Sequence, residues 1–154
     1  MTEPGASRPA RIVDVGAKDA TERIAVAETI VSMTREAAAR LVEGTRKGDP
    51  LEAARIAGVM GVKRTPQLLP FCHPVAITGA EVDVEPDTTS GRIRVQATVR
   101  ARDRTGVEME ALTGAAVAAL TLYDTAKEFD RAARIDGLRL LRKSGGKSGA
   151  YQAG

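Results

Sequence analysis

The longest unbroken helical pattern in the chain is Val107 to Phe129, VEMEALTGAAVAALTLYDTAKEF, and it limits the fold more than any other stretch. At about 100° per residue, Leu112, Ala115, Ala116, Ala119, Tyr123 and Ala126 fall on one stripe. Its small residues suit close packing on a sheet, so this stripe is expected to face the core. A second stripe carries Glu110, Thr113, Val117, Thr121 and Asp124, with Lys127 one turn below Asp124. A solvent-facing stripe normally carries charge along its length. This one is small and apolar in the middle, with carboxylates near both ends, and is expected to meet a neighbouring subunit.

The rest of the chain can supply one such core. Its 154 residues suit a single domain. The net charge of +3 demands no large nucleic-acid footprint, while the pI of 9.3 allows an anionic small molecule. Aromatic residues make up 3% of the chain and there is no Trp, so platforms for stacking bases are scarce. One cysteine excludes an intrachain disulfide and fits a reducing cytoplasm. No apolar run reaches the ~18 residues of a membrane span. The N-terminal MTEPGASRPARIVDVG has no apolar stretch of the secretory kind.

Residues 1–20 are rich in Pro, Gly, Ala and charge and read as a mobile arm. Residues 21–154 read as one domain with a flexible C-terminal tail. Within it, Thr21 to Met33 reads as a strand. Thr34 can cap a helix running to Glu43, which Gly44 ends. Asp49-Pro50 opens a second helix. Thr65-Pro66 repeats that signal, so a separate short turn is expected there, ended by Pro70. Ala80 to Glu85 and Ile93 to Val99 alternate as a hairpin around PDTTSG. After the long helix, Gly137 to Arg142 reads as a last strand. The order is strand, helices, strand, strand, helix, strand. This is the ferredoxin-like α+β pattern, an antiparallel sheet with helices on one face.

His73 is the only histidine, so imidazole chemistry must come from it. It sits beside Cys72, but adjacent residues rarely point at one ion and no further Cys or His completes a tetrahedral site. Glu108 and Glu110 open the long helix, where carboxylates complement its dipole. Two residues apart, they point about 200° away from each other. Asp124 and Lys127 are three apart and can meet, either as an ordinary surface ion pair or as a proton-transfer pair. Lys47 precedes a helix N-terminus, a natural anion site. KSGGKSG is not a Walker A loop, since Leu141 stands where that motif needs its first glycine, yet its backbone and Lys143 or Lys147 could wrap phosphates. Glu110 and Asp124 stand roughly 21 Å apart along a helix. They hold opposite ends of a long ligand, or sites are built from two subunits.

LPFCHP, RTGVEMEALTGAAVAALTLYDTAK and RLLRKSGGKSG, with KGD and ARIAGVMGVKRT before them, resemble the signature segments of the MoaC family, the cyclic pyranopterin monophosphate synthases. The resemblance runs from about Val13 to Gly149. It implies a lyase of molybdenum-cofactor biosynthesis that converts a cyclised GTP, 3′,8-cyclo-7,8-dihydroguanosine 5′-triphosphate, to cyclic pyranopterin monophosphate with release of diphosphate. It implies a ferredoxin-like hexamer, a trimer of dimers with sites between subunits, and a functional link to the radical enzyme that makes the substrate. No redox cofactor is implied, magnesium beside the triphosphate is left open, and neither nucleic acid nor membrane is expected. Carried over, the catalytic residues are Asp124, Lys127 and Lys47. The substrate contacts are Phe71, Cys72, His73, Glu108, Met109, Glu110 and Lys143. Phe71 stands where an aliphatic residue is expected. The alternative from another class is a ferredoxin-like RNA-binding module, for which Arg92 and Arg94 are the sheet residues to watch.

Overall fold

The computed structural model describes residues 9–154. Residues 9–20 carry no helix or strand; residues 1–8, part of the expected arm, lie outside the described residues. Beyond them run β1 (Thr21–Ser32), α1 (Arg35–Glu43), α2 (Pro50–Leu68), β2 (Ile77–Asp87), β3 (Arg92–Asp103), α3 (Glu108–Ala126), β4 (Arg134–Ser144) and β5 (Tyr151–Gln152). The strands form one sheet in the order β2-β3-β1-β4-β5, each neighbour antiparallel. The helices lie on one face, giving the expected ferredoxin-like α+β fold.

Local signals account for most boundaries. Thr34 Oγ1 accepts from Ala37 N at 3.1 Å and caps α1, and the Asp49 carboxylate accepts from Leu51 N at 2.9 Å to cap α2. At the β2–β3 turn, Asp87 accepts from Thr89 N at 3.0 Å and from the hydroxyls of Thr89 and Ser90 at 2.6 and 2.9 Å. These donors hold its carboxyl below the ordinary range. Gly91 closes the turn at φ +73°, against the Met33 carbonyl.

The core lies between the sheet and the helices. Ala25, Ala27 and Val31 of β1 alternate inward with Ile93, Val95, Ala97 and Val99 of β3. Onto them pack Ala111, Ala115, Ala118, Ala119 and Leu122 of α3. Thr29, also on the inner face, donates its hydroxyl to Asp136 O at 2.7 Å, where the β1–β4 register shifts. A buried polar group is thereby satisfied.

Three expectations change. First, α2 is one helix through Pro66, with no break at Thr65. Thr65 is buried and donates its hydroxyl to Gly61 O at 2.9 Å, which fixes it as helical rather than as a cap. Pro66 lies in the last turn, where few later hydrogen bonds depend on it. Second, the buried side of α3 is broader than one stripe. Ala115, Ala119 and Ala126 are buried as expected, but so are Ala111, Gly114, Ala118 and Leu122, while Leu112, Ala116 and Tyr123 are only half-buried. The reason is that α2 covers α3 from the side. A Cβ at Gly61 would sit 3.0 Å from Val117 Cβ, and one at Gly58 would sit 3.1 Å from the Gly114 carbonyl oxygen. Thus Val117, at the middle of the stripe assigned to a neighbouring subunit, meets α2 of its own chain. Third, the tail expected to be flexible returns to the sheet. Arg142 pairs with Gln152 and Lys143 with Tyr151, and Ala153 N donates to Leu141 O at 2.7 Å.

The helix crossing can be tested. A Cβ at Gly114 would lie 2.6 Å from Val62 Cγ2 and 3.2 Å from the Gly58 carbonyl oxygen. Gly114→Val should therefore overpack the crossing and cost about 1–3 kcal/mol, lowering the thermal midpoint by several degrees. An unchanged midpoint in circular-dichroism melts would mean that the helices do not depend on this close approach.

Candidate functional site

The residues singled out in the sequence gather at the two ends of α3, which its 19 residues separate by about 27 Å. At the C-terminal end, Lys127 closes the helix and its Nζ lies 2.8 Å from Asp124 Oδ1. Lys47 arrives from the turn between α1 and α2. That turn is a narrow bridge in which Thr45 and Gly48 exchange backbone hydrogen bonds at 2.9 and 3.0 Å. Gly48 adopts φ +120°, which favours glycine, and Asp49 immediately starts α2. The turn projects Lys47 so that its Nζ lies 2.9 Å from Glu128 Oε1. The structure thus joins Lys47, Asp124 and Lys127 into one exposed cluster, with Glu128 as a fourth member.

Charge explains the cluster. The C-terminal end of a helix attracts cations. Asp124 is held below the ordinary carboxylate range by the hydrogen bond from Lys127, with Lys47 adding attraction. Lys127 is raised by Asp124 in return, and Lys47 is raised by Glu128. These shifts keep Asp124, Lys127 and Lys47 charged at neutral pH. The ion pair moves the two pKa values apart, so proton exchange between Asp124 and Lys127 requires a ligand or a neighbour to break the pair.

The N-terminal end differs. Glu108 reaches outward, folds back over Gly106, and meets Lys143 of β4 at 3.1 Å. Lys143 Nζ also lies 3.3 Å from Ser148 Oγ, tying the C-terminal loop to α3. Glu110 points the other way, as helical spacing requires, and is only 3% exposed. It borders a cleft of ≈ 350 Å³ lined also by Lys63, Gln67, Pro74 and Ile77. Among the described residues it has no ion-pair partner. Burial, with repulsion from Glu108 added, raises its pKa. Cys72 stands within reach of that charge, since its thiol is raised by burial and then by Glu110. His73 follows it, half-buried, on the link from α2 to β2. That link is anchored by the Asp103 carboxylate, which accepts from Ala76 N at 2.8 Å. Phe71 and Met109 are exposed apolar side chains nearby in sequence.

Glu128 and Ser148 escaped the sequence reading. Glu128 carried a faint signal, being next to Lys127, but its partner is 81 positions away. On the open sheet face, Arg94 is committed to Glu28 at 3.2 Å and to Glu85 at 3.5 Å. Among the described residues no group of three or more His, Cys, Asp or Glu could hold a metal ion, and no helix is long and apolar enough to cross a membrane.

The family model of the MoaC family matches residues 12–146. A cyclic pyranopterin monophosphate synthase of Rhodospirillum rubrum is 51% identical over 143 residues, covering 92% of this chain and 86% of the relative. One of Parvibaculum lavamentivorans is 50% identical over 155 residues, covering 99% and 94%. One of Brucella ovis is 52% identical over 143 residues, covering 92% and 87%.

The Glu110 environment has a pH signature. A carboxyl whose folded pKa is raised binds more protons folded than unfolded, so stability falls as pH climbs from the unfolded value through the folded one. Glu110→Gln removes that cost. In denaturant titrations the variant should gain on the parent chain as pH rises above the ordinary carboxylate range, and the two should converge in more acidic solution. A difference independent of pH would mean that Glu110 is not strained by burial. At the other end, Lys127→Met should raise the Asp124 pKa, read by carboxyl carbon NMR; no upward shift would contradict the ion pair.

Proposed function

The chain belongs to the MoaC family, and from that premise we propose that it is a cyclic pyranopterin monophosphate synthase. It takes 3′,8-cyclo-7,8-dihydroguanosine 5′-triphosphate, rearranges it to cyclic pyranopterin monophosphate and releases diphosphate, serving molybdenum-cofactor biosynthesis after a radical enzyme. Closing the cyclic phosphate requires a substrate hydroxyl to attack the α-phosphorus while its proton leaves to a base and diphosphate departs. Ring opening and reclosure need further proton transfers. Asp124 is the anionic base, with Lys127 and Lys47 as proton donors or stabilisers of the leaving phosphates. Cys72, His73, Glu108, Glu110 and Lys143 hold the substrate.

The observation that carries this reading is the cluster of Lys47, Asp124 and Lys127, three residues from two separate segments, at one end of α3. The distance to Glu110 and Lys143 at the other end favours sites completed between subunits in a hexamer. The uncharged stripe no longer supports that assembly, since α2 covers its middle. Exposed apolar side chains do: Ile56 and Met60 lie one turn apart on α2, and Leu120 is 57% exposed on α3. The RNA-binding alternative is weaker because Arg94 is already neutralised by Glu28 and Glu85.

Incubation with the cyclised triphosphate should yield the pterin product and diphosphate, both read by chromatography. Asp124→Asn should keep the fold and assembly and slow turnover by roughly 100-fold or more; turnover near the parent rate would remove Asp124 from the chemistry. Mixed assemblies of Asp124→Asn and His73→Ala chains should recover part of the activity. No recovery in verified mixed assemblies would mean that one chain supplies both residues to each site.

A further inference from the structure

The inner-face alternation of β3 ends on a charge. Ile93, Val95, Ala97, Val99 and Ala101 are buried in the core, and the next position in that register is Asp103. A carboxylate where the pleat calls for an apolar side chain needs hydrogen-bond donors, and Asp103 has them. Its Oδ2 accepts from Ala76 N at 2.8 Å and its Oδ1 from Arg104 N at 2.7 Å. These donors, the Ala76 N–H foremost, hold the carboxyl below the ordinary range. We infer that Asp103 is a positioning residue for substrate binding: its carboxylate fixes the link that carries Phe71, Cys72 and His73 against the turn that opens α3. The inference rests on the proposed reaction for what these residues hold, while the tether itself is local.

The topology leaves this link with little else to hold it. β2 joins β3 only from Ile77, opposite Ala101, whereas β3 runs on to Asp103 beside Thr21 of β1. Residues 72–76 lie beyond that ladder and carry no helix or strand. Val75 packs against the core. Pro70 and Pro74 have no N–H to donate. Cys72 N turns back to Leu69 O, and Ile77 N to Val75 O. Among the described residues, the bond from Ala76 N to Asp103 is the one hydrogen bond that ties residues 72–76 to another strand. Asp103 also reaches two further segments. Its carbonyl accepts from Arg23 Nε of β1 at 3.4 Å, and its bond to Arg104 N shapes the start of the turn, residues 104–107, that leads to Glu108. One carboxylate thus sets Cys72 and His73 on one side relative to Glu108 and Glu110 on the other. The two sides are close enough that Glu110, after burial, raises the Cys72 thiol.

Cys72 is the only cysteine in the chain, so its alkylation reports on the link alone. Asp103→Asn and Asp103→Ala remove the same charge, but the asparagine keeps an oxygen for Ala76 N. Without substrate, Asp103→Ala should speed alkylation of Cys72 by iodoacetamide several-fold, because a loosened link exposes the thiol. With the cyclised triphosphate, the same variant should raise KM roughly tenfold and leave kcat within about twofold of the parent, the pattern of residues that hold substrate. Asp103→Asn should restore most of both readouts. Equal disruption by Asn and Ala would assign the effect to charge and overturn the hydrogen-bonded tether. Unchanged alkylation in a folded Asp103→Ala chain, or an unchanged KM in one that turns over, would also overturn the proposal. If Asp103→Ala misfolds, Asp103→Val, a residue suited to the inner face of a strand, carries the same test. Faster alkylation in these variants, in a protein whose parent chain does not turn over the cyclised triphosphate, would uphold the tether and overturn the reaction instead.

Discussion

The fold depends on how closely α2 and α3 approach each other. Both have 19 residues, and at their crossing three glycines leave no room for a side chain. With Val62 over Gly114 and Val117 over Gly61, each helix fills the other's gap. Such packing is worth little per atom pair and much in sum. It also determines where function can lie. Along its middle, α3 packs against β1, β3 and α2, and its inner residues are mostly Ala. Charge is confined to the two ends, where the helix emerges from those contacts. The chemistry is therefore split by the packing.

The two ends have opposite electrostatic characters, and the cause is burial. Asp124 is exposed and pinned to an ammonium, so it stays ionised into acid solution. Glu110 is covered by α2 and the link into β2, has no cationic partner among the described residues, and holds its proton longer. Carboxylates whose pKa values are pushed apart are the usual way in which one fold provides both an acid and a base. On the proposed reading, one chain supplies Asp124 and its lysines to each site and another supplies Glu110 and the other residues that hold the substrate, and the rigid 27 Å of helix (~1.5 Å per residue) keeps the two sets from meeting within a single chain.

Much of this was legible in the residues. Thr34, Asp49 and the alternation of β3 carry their own structural signals, because caps and pleats are local physics. So was the Asp124–Lys127 pair, three residues apart on a helix. Three features were not. Thr65-Pro66 has the local form of a cap, but Thr65 is buried in a continuing helix and tertiary packing overrides the signal. The core face of α3 was drawn too narrow, because a helix touching both a sheet and another helix buries two adjacent stripes. The Lys47–Glu128 contact joins positions far apart in the chain, and no periodicity encodes it.

The C-terminal loop illustrates how composition can mislead and geometry correct it. KSGGKSG has the glycine and lysine content of a phosphate loop, but its spacing fails that motif, which left a flexible tail as the plain reading. In the folded chain the glycines have specific positions. They allow the backbone to descend onto Glu22 and Arg23, and Tyr151–Gln152 then pairs with β4 beyond them. A flexible linker has no need of residues with positive φ at fixed places, whereas a loop pressed against a strand does. With Lys143 bound to both Glu108 and Ser148, the end of the chain is joined to the beginning of α3. The N-terminal arm, β1, the loop and the long helix therefore converge on one region.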